Sequence, residues 1–302
     1  MDSITIDGTT QLVGVIGWPI AHSLSPTMHN AAFRELHLNW SYVPMPVRPG
    51  EVNTAVRGLT ALGFRGFNIT VPHKQTVLNL LEEISPEAQV LGAVNTVVIH
   101  RSEEGTPHLS GHNTDSAGFV GALHQGGVHP GPGQRVLVAG AGGAARAIVY
   151  ALGKAGVDAI VVLNRTPERA VALVSSLSAH MPHATFLEAG LMTVETLLDA
   201  AERSTLLVNT TTLGMWPAVE GSIWPDNVPF PAHLTVCDLV YNPLDTRLLR
   251  QAARAGARTI DGLGMLALQG ALALGQWVPE PLDVPAIAAL MRRSAAQRLK
   301  QS

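Results

Sequence analysis

Up to about Val98 the chain alternates short β-rich runs with helical ones: QLVGVIG, SPTMHNAAFREL, WSYVPMPV, the segment 51–62, and GFNITV. Strand and helix in turn predict an α/β domain with crossover connections. Ser25 before Pro26 reads as a helix start, because a serine hydroxyl caps free backbone N–H groups and proline is tolerated in the first turn. A further helix is predicted just after His73 and Lys74. At 124–133 the cluster HQGGVHPGPG breaks the periodicity and reads as a linker before a new domain. Beyond it come a strand at 135–139, a helix at 144–156, a strand at 159–163, a helix at 167–178, and strands near 184–187, 206–208 and 235–239. That is the rhythm of a doubly wound nucleotide-binding sheet. After Asp245 the pattern is helical, with apolar runs at 262–277 and 284–299 able to cover either domain.

Composition sharpens this picture. The 302 residues suggest two domains, at the usual ~150 residues each. Charged residues are only 14% against 46% apolar, which argues against disorder and for substantial cores. The net charge of −3 contains no block of like charge, so neither nucleic acid nor a membrane surface is an expected partner, and small molecules are. A single cysteine, Cys237, in the apolar stretch 234–240 permits no internal disulfide and fits a cytoplasmic protein. The start MDSITIDGTT lacks the basic and apolar runs of a secretion signal. The uncharged stretch 262–279 holds four glycines and two glutamines and reads as a buried helix; it falls short of the ~20 apolar residues of a membrane span. None of the twelve histidines has metal-ligand spacing, so no metal is expected.

The run from Gly140 through Ala141, Gly142, Gly143 and Ala144 to Ala145 follows a strand and opens a helix. Gly140 suits the tight turn, Gly142 lets backbone approach a pyrophosphate, and Ala145 lets the helix lie close to the sheet. The phosphates of a dinucleotide would then meet the helix N-terminus; the alternative is a packing turn. At the end of the next strand an NAD site usually carries a carboxylate, but here stand Asn164, Arg165 and Thr166, with Arg169 one turn on. Guanidinium groups suit a ribose 2′-phosphate, which favours NADP over NAD. The alternative is that both arginines are merely solvated.

Polar residues of the first domain gather where strands end: Ser23 and Ser25, Asn68 and Thr70, Asn95 and Thr96, then Asn113, Thr114 and Asp115. In open α/β sheets ligands bind beyond such ends. Lys74 stands out because the chain has 17 arginines and three lysines. An ammonium can surrender its proton when buried and a guanidinium cannot, so Lys74 is a candidate acid/base, with Asp115 to orient it. A surface lysine and a helix-capping aspartate are the plainer readings.

The stretches GWPIAHSLSPTMHNAAF, GFNITVPHK, GAVNTVV, GHNTDSAGF, VAGAGGAARAIVYAL, LNRTPERA, LVNTTTLGM, DLVYNPLDTRLL and DGLGMLALQGALAL together resemble the shikimate dehydrogenase family, in the family's order over residues 14–277. The resemblance implies a two-domain α/β fold: a substrate domain of residues 1–115 and 262–302, to which the last helices return, and a Rossmann-type NADP-binding domain of residues 116–261. It implies reversible NADP-linked reduction of 3-dehydroshikimate to shikimate, in aromatic amino acid biosynthesis, by a monomer or homodimer. Ser23 and Ser25 would bind the substrate carboxylate with Thr70 and Tyr241; Asn95, Asp115 and Gln269 would hold the ring hydroxyls; Lys74, paired with Asp115, would be the acid/base. Residues 140–145 would hold the cofactor phosphates, Asn164, Arg165, Thr166 and Arg169 the adenosine end, and Thr210, Val240, Gly262 and Met265 the nicotinamide end. Trp18, Ser116 and the pair Thr212 and Leu213 depart from the family pattern; the first two bear on pocket size and on shikimate against quinate. A quinate/shikimate dehydrogenase of broader use and a non-catalytic NADP-dependent sensor are the alternatives.

Overall fold

The computed structural model describes residues 6–181 and 185–301. The chain divides into two units: one takes it up to Thr114 and again from Ala267 onward, the other is Asp115–Leu266.

In the first unit, β1 (Gln11–Gly17) is followed by α1 (Ser25–Glu35), β2 (Trp40–Pro46), α2 (Val52–Ala61) and β3 (Gly66–Ile69). Crossover helices let β2 and β3 both pair in parallel with β1, as the alternating pattern predicts. The rest of the sheet is mixed. After a short 3₁₀ turn (Thr76–Leu80) come β4 (Glu83–Ile84), α3 (Pro86–Leu91), β5 (Thr96–Arg101) and β6 (Pro107–His112), giving the order β2-β1-β3-β5-β6-β4 with β5 antiparallel to β3 and β6. The helix expected after Lys74 is thus only that 3₁₀ turn.

Ser25 does not cap α1. Leu24 holds the cap position with no side-chain bond, and Ser25 is the first helical residue. Its own N–H is met by Ser23 Oγ at 3.3 Å. At the sheet edge, Val47 N–H donates to Gly17 O, which directs odd-numbered residues of β2 toward β1. The Tyr42 backbone N–H and C=O, which point away from β1, exchange two bonds with the Asn30 side chain of α1, at 2.8 and 2.9 Å.

The second unit opens with α4 (Asp115–Gln125), then runs β7 (Arg135–Ala139), α5 (Gly143–Lys154), β8 (Ala159–Asn164), α6 (Pro167–Ser178), β9 (Phe186–Leu191), α7 (Val194–Glu202), β10 (Leu206–Asn209), β11 (Thr235–Asp238), α8 (Arg247–Arg254) and β12 (Thr259–Ile260). All six strands are parallel, in the order β12-β11-β10-β7-β8-β9. Counted from β7, this is the strand order of the dinucleotide-binding sheet, with its switch point between β7 and β10. The strand expected at 184–187 begins at Phe186, and Ala184 lies outside the described residues. The segment 124–133 lies inside this unit, as the last two residues of α4 and the loop from there toward β7.

Two helices close the chain, α9 (Gly262–Trp277) and α10 (Val284–Leu299). α10 packs on α1, and the Trp277 indole donates to Val97 O of β5 at 3.0 Å, so the last helices complete the first unit. No helix among the described residues is long and apolar enough to cross a membrane.

Candidate active site

In the first unit the polar residues meet at the carboxyl ends of β1 and β3 and around Asn95. Asn95 is buried, and its amide oxygen accepts from Thr96 Oγ1 at 2.9 Å and from the Thr114 N–H at 2.9 Å. Its Nδ2 donates to Thr114 Oγ1 at 2.9 Å and to Gln269 Oε1 at 3.4 Å, while Thr114 Oγ1 bonds Gln269 O at 3.0 Å. A helix near the C-terminus is thereby fastened to the same amide as the end of β6.

Asn68 and Tyr42 extend this network. Asn68 Nδ2 donates to Asn95 O, which can only accept, and so its Oδ1 must face the Tyr42 hydroxyl, which donates to it at 2.8 Å. Ser25 bonds the same phenol, whose pKa burial raises well above the usual value. The chain Ser25–Tyr42–Asn68–Asn95–Thr114–Gln269 is therefore continuous. Sequence reasoning assigned Tyr42 no role because it reads as an ordinary strand residue.

Lys74 is half-buried two residues after the Val71–Pro72 bond, and its carbonyl accepts from the Val94 N–H at 2.9 Å, next to Asn95. Thr70 is anchored to the end of β1 by its N–H to Ile16 O at 3.0 Å. Thus Ser23, Ser25, Thr70, Lys74, Asn95 and Gln269 all belong to the first unit. Asp115 and Tyr241 belong to the second: Asp115 is buried at the start of α4, and burial raises the Tyr241 phenol pKa and keeps it a proton donor. Ser116 faces α5, where its hydroxyl donates to Ala147 O at 3.2 Å, so its departure from the family pattern is spent on helix packing.

The second unit carries the residues expected to bind the cofactor, at the carboxyl ends of β7, β8, β10 and β11. Gly140 has φ +107°, and a Cβ there would run into the Thr210 hydroxyl, so only glycine fits. Thr210 is pinned by its N–H and Oγ1 to Ala139 O, both at 2.8 Å. Gly142 is the N-cap of α5 with no side-chain cap, and the space a Cβ would take at Gly142 and Gly143 is open. Uncapped N–H groups beside open space are what a bound diphosphate needs, so these residues fit a dinucleotide. Ala141 and Ala144 flank the turn, and Ala145 is buried against the sheet.

Asn164 closes β8 and bonds Thr166 O at 2.9 Å; Thr166 caps α6 without a side-chain bond. Arg165 and Arg169 are exposed there, and neither is in an ion pair among the described residues. A third guanidinium, Arg146, reaches α6 through Ser176 Oγ at 2.8 Å; its signal was its place in the first turn of the helix after the glycine turn.

Val240, Gly262 and Met265 are buried. Val240 owes its setting to Asp238, a buried carboxylate to which the sequence assigns no role. It accepts from Asn209 Nδ2 at 2.8 Å, the Val240 N–H at 3.1 Å and Thr246 Oγ1 at 2.6 Å, and burial raises its pKa. A Cβ on Gly262 would meet Leu239 O, so α9 starts hard against the loop after β11.

A sheet in dinucleotide-binding order with an open glycine turn, together with a second sheet ending in amide and hydroxyl groups, defines the class: a two-unit α/β oxidoreductase of the dinucleotide-binding kind. Residues 15–97 match the profile of the shikimate dehydrogenase substrate-binding domain and residues 128–219 that of shikimate/quinate 5-dehydrogenase. The chain is 43% identical to the shikimate dehydrogenase (NADP(+)) of Moorella thermoacetica over 96% of both chains. Among solved structures, a shikimate dehydrogenase in complex with NADP+ superposes with a TM-score of 0.85 at 35% identity, covering 98% of both chains. The Thermus thermophilus enzyme in complex with NADP(H) and shikimate gives 0.79 at 39% identity, covering 94% of this chain and 99% of that one. The chain belongs to the shikimate dehydrogenase family.

Proposed function

We propose that this protein catalyses the reversible NADP-linked reduction of 3-dehydroshikimate to shikimate, in the cytoplasm, as a step of aromatic amino acid biosynthesis. The observation that carries this reading is the buried Asn95–Thr114–Gln269 network beside the backbone of Lys74, in a chain of this family.

Ser23, Ser25, Thr70 and Tyr241 receive the carboxylate; Asn95, Asp115 and Gln269 receive the ring hydroxyls. Residues 140–145, Asn164, Arg165, Thr166, Arg169, Thr210, Val240, Gly262 and Met265 hold NADP. When bound, the nicotinamide exchanges a hydride with the substrate. A ketone that accepts hydride develops negative charge on oxygen, which requires a proton donor at that atom. Lys74 supplies it and Asp115 orients the ammonium. The polar donors suit a small polyhydroxylated acid and no macromolecule; the protein works as a monomer or homodimer without a metal.

The test is NADPH formation from shikimate and NADP, repeated with quinate and with NAD. Turnover with shikimate and NADP is expected, and Lys74→Met should lower it by ~100- to 10,000-fold with little change in NADP affinity. Absence of shikimate oxidation by the wild type rejects the assignment, and a fully active Lys74→Met removes that lysine from the chemistry. Quinate turnover matching that of shikimate would instead favour the broader quinate/shikimate reading, which the large Trp18 side chain, 40% exposed just beyond β1, keeps in view.

A further inference from the structure

The loops that leave β1, β2 and β3 are bound to one another at the carboxyl end of the first sheet. The Trp18 N–H donates to Val71 O at 3.0 Å and the Val47 N–H to Gly17 O at 3.1 Å. His73, the neighbour of Lys74, donates from its ring to Val47 O at 2.7 Å. Ser23 lies in the same loop as Trp18, its N–H bonded to Ile20 O at 3.0 Å. Residues 18, 48 and 73 are thus held on one rim.

Arg48 follows Val47 directly, and its guanidinium carbon lies 5.3 Å from the centre of the Trp18 ring. Its side chain is exposed and is in no ion pair among the described residues; Glu51 bonds its carbonyl through a backbone N–H. An indole face holds a guanidinium in place without cancelling its charge. The rim therefore carries a positive charge seated on an indole and outside any ion pair among the described residues, which the acid/base and hydroxyl-binding residues do not use.

We propose that Arg48, seated on Trp18, is a capture residue for the anionic end of the substrate, drawing a carboxylate to the rim before it reaches Ser23 and Ser25. This rests on the substrate reading above. A charge at the edge of a site acts chiefly on encounter rate and is screened by salt over ~8–10 Å at ordinary ionic strength. Trp18, the bulky departure in the first loop, is then a positioning residue that aims the guanidinium.

The experiment measures shikimate oxidation at saturating NADP for the wild type, Arg48→Gln, Arg48→Lys and Trp18→Leu, in low and high sodium chloride. Arg48→Gln should raise the shikimate KM about threefold to tenfold at low salt, with kcat and the NADP KM within about twofold, and the KM gap should close at high salt. Arg48→Lys should restore most of the loss, and Trp18→Leu should show a smaller rise in the same direction. A KM unchanged in Arg48→Gln, or raised equally at both salt concentrations, overturns the inference alone. Wild-type protein that does not oxidise shikimate overturns the substrate reading and the inference with it.

Discussion

His29 lies in α1 with its ring stacked on Tyr42 at 4.3 Å between centroids, Trp277 beyond it, and neither ring nitrogen hydrogen-bonded. Burial lowers its pKa from 6.5 to about 3. The unfolded chain therefore takes up a proton that the folded chain refuses. The stabilisation is fully present above the unfolded value and is lost as pH falls through it, by about 1.4 kcal/mol per pH unit until the folded value is reached. His29→Phe keeps an aromatic ring against Tyr42 and removes the titration. Urea unfolding should show the variant gaining about 2 kcal/mol on the wild type between pH 7 and pH 5. A stability difference that stays constant over that interval would show that the ring is not held neutral by the fold.

At the scale of elements, the runs with strong periodicity were legible. QLVGVIG, RVLVA and GFNITV became β1, β7 and β3, and the glycine turn emerged from its strand–turn–helix setting. β6 was missed because PHLSGH has no apolar alternation; it is a strand because it pairs with β5 residue by residue from Thr96 to Arg101. α7, absent from the expected elements, has as its local signal the reciprocal capping box of Thr193 and Thr196. Ser25 misled because a serine before proline fits two positions, cap and first helical residue, and only the backbone separates them. The turn from β8 into α6 carries its own prediction. Arg165→Ala should weaken NADP by ~1.5–3 kcal/mol, the value of a charge-assisted hydrogen bond, and leave NAD nearly unchanged. Titrations with both nucleotides decide this, since equal losses would mean that the guanidinium does not meet a 2′-phosphate.

At the scale of the whole molecule, what the sequence hid is long-range. Asn95 and Gln269 are 174 residues apart in the chain yet bonded, and no local pattern announces such a pair. The return of α9 and α10 came from family resemblance, because their apolar runs alone would cover either sheet. That return makes the C-terminal helix part of the substrate unit's core. Met291 of α10 is completely buried, with Gly270 of α9 close to its sulfur. Met291→Ala should cost ~2–5 kcal/mol of stability through lost burial and the cavity left behind. Denaturant unfolding checks this, and a loss below about 1 kcal/mol would mean that the helices close over the gap.

The outer rim of β2 has one more consequence. Its outward positions are Trp40, Tyr42, Pro44 and Pro46: Tyr42 has both backbone groups occupied by the Asn30 amide, and the prolines have no N–H to offer. Beyond Trp40 a newcomer in extended conformation finds no free N–H to pair with. On that flank the protein is insulated against runaway stacking of copy upon copy, however crowded the solution becomes.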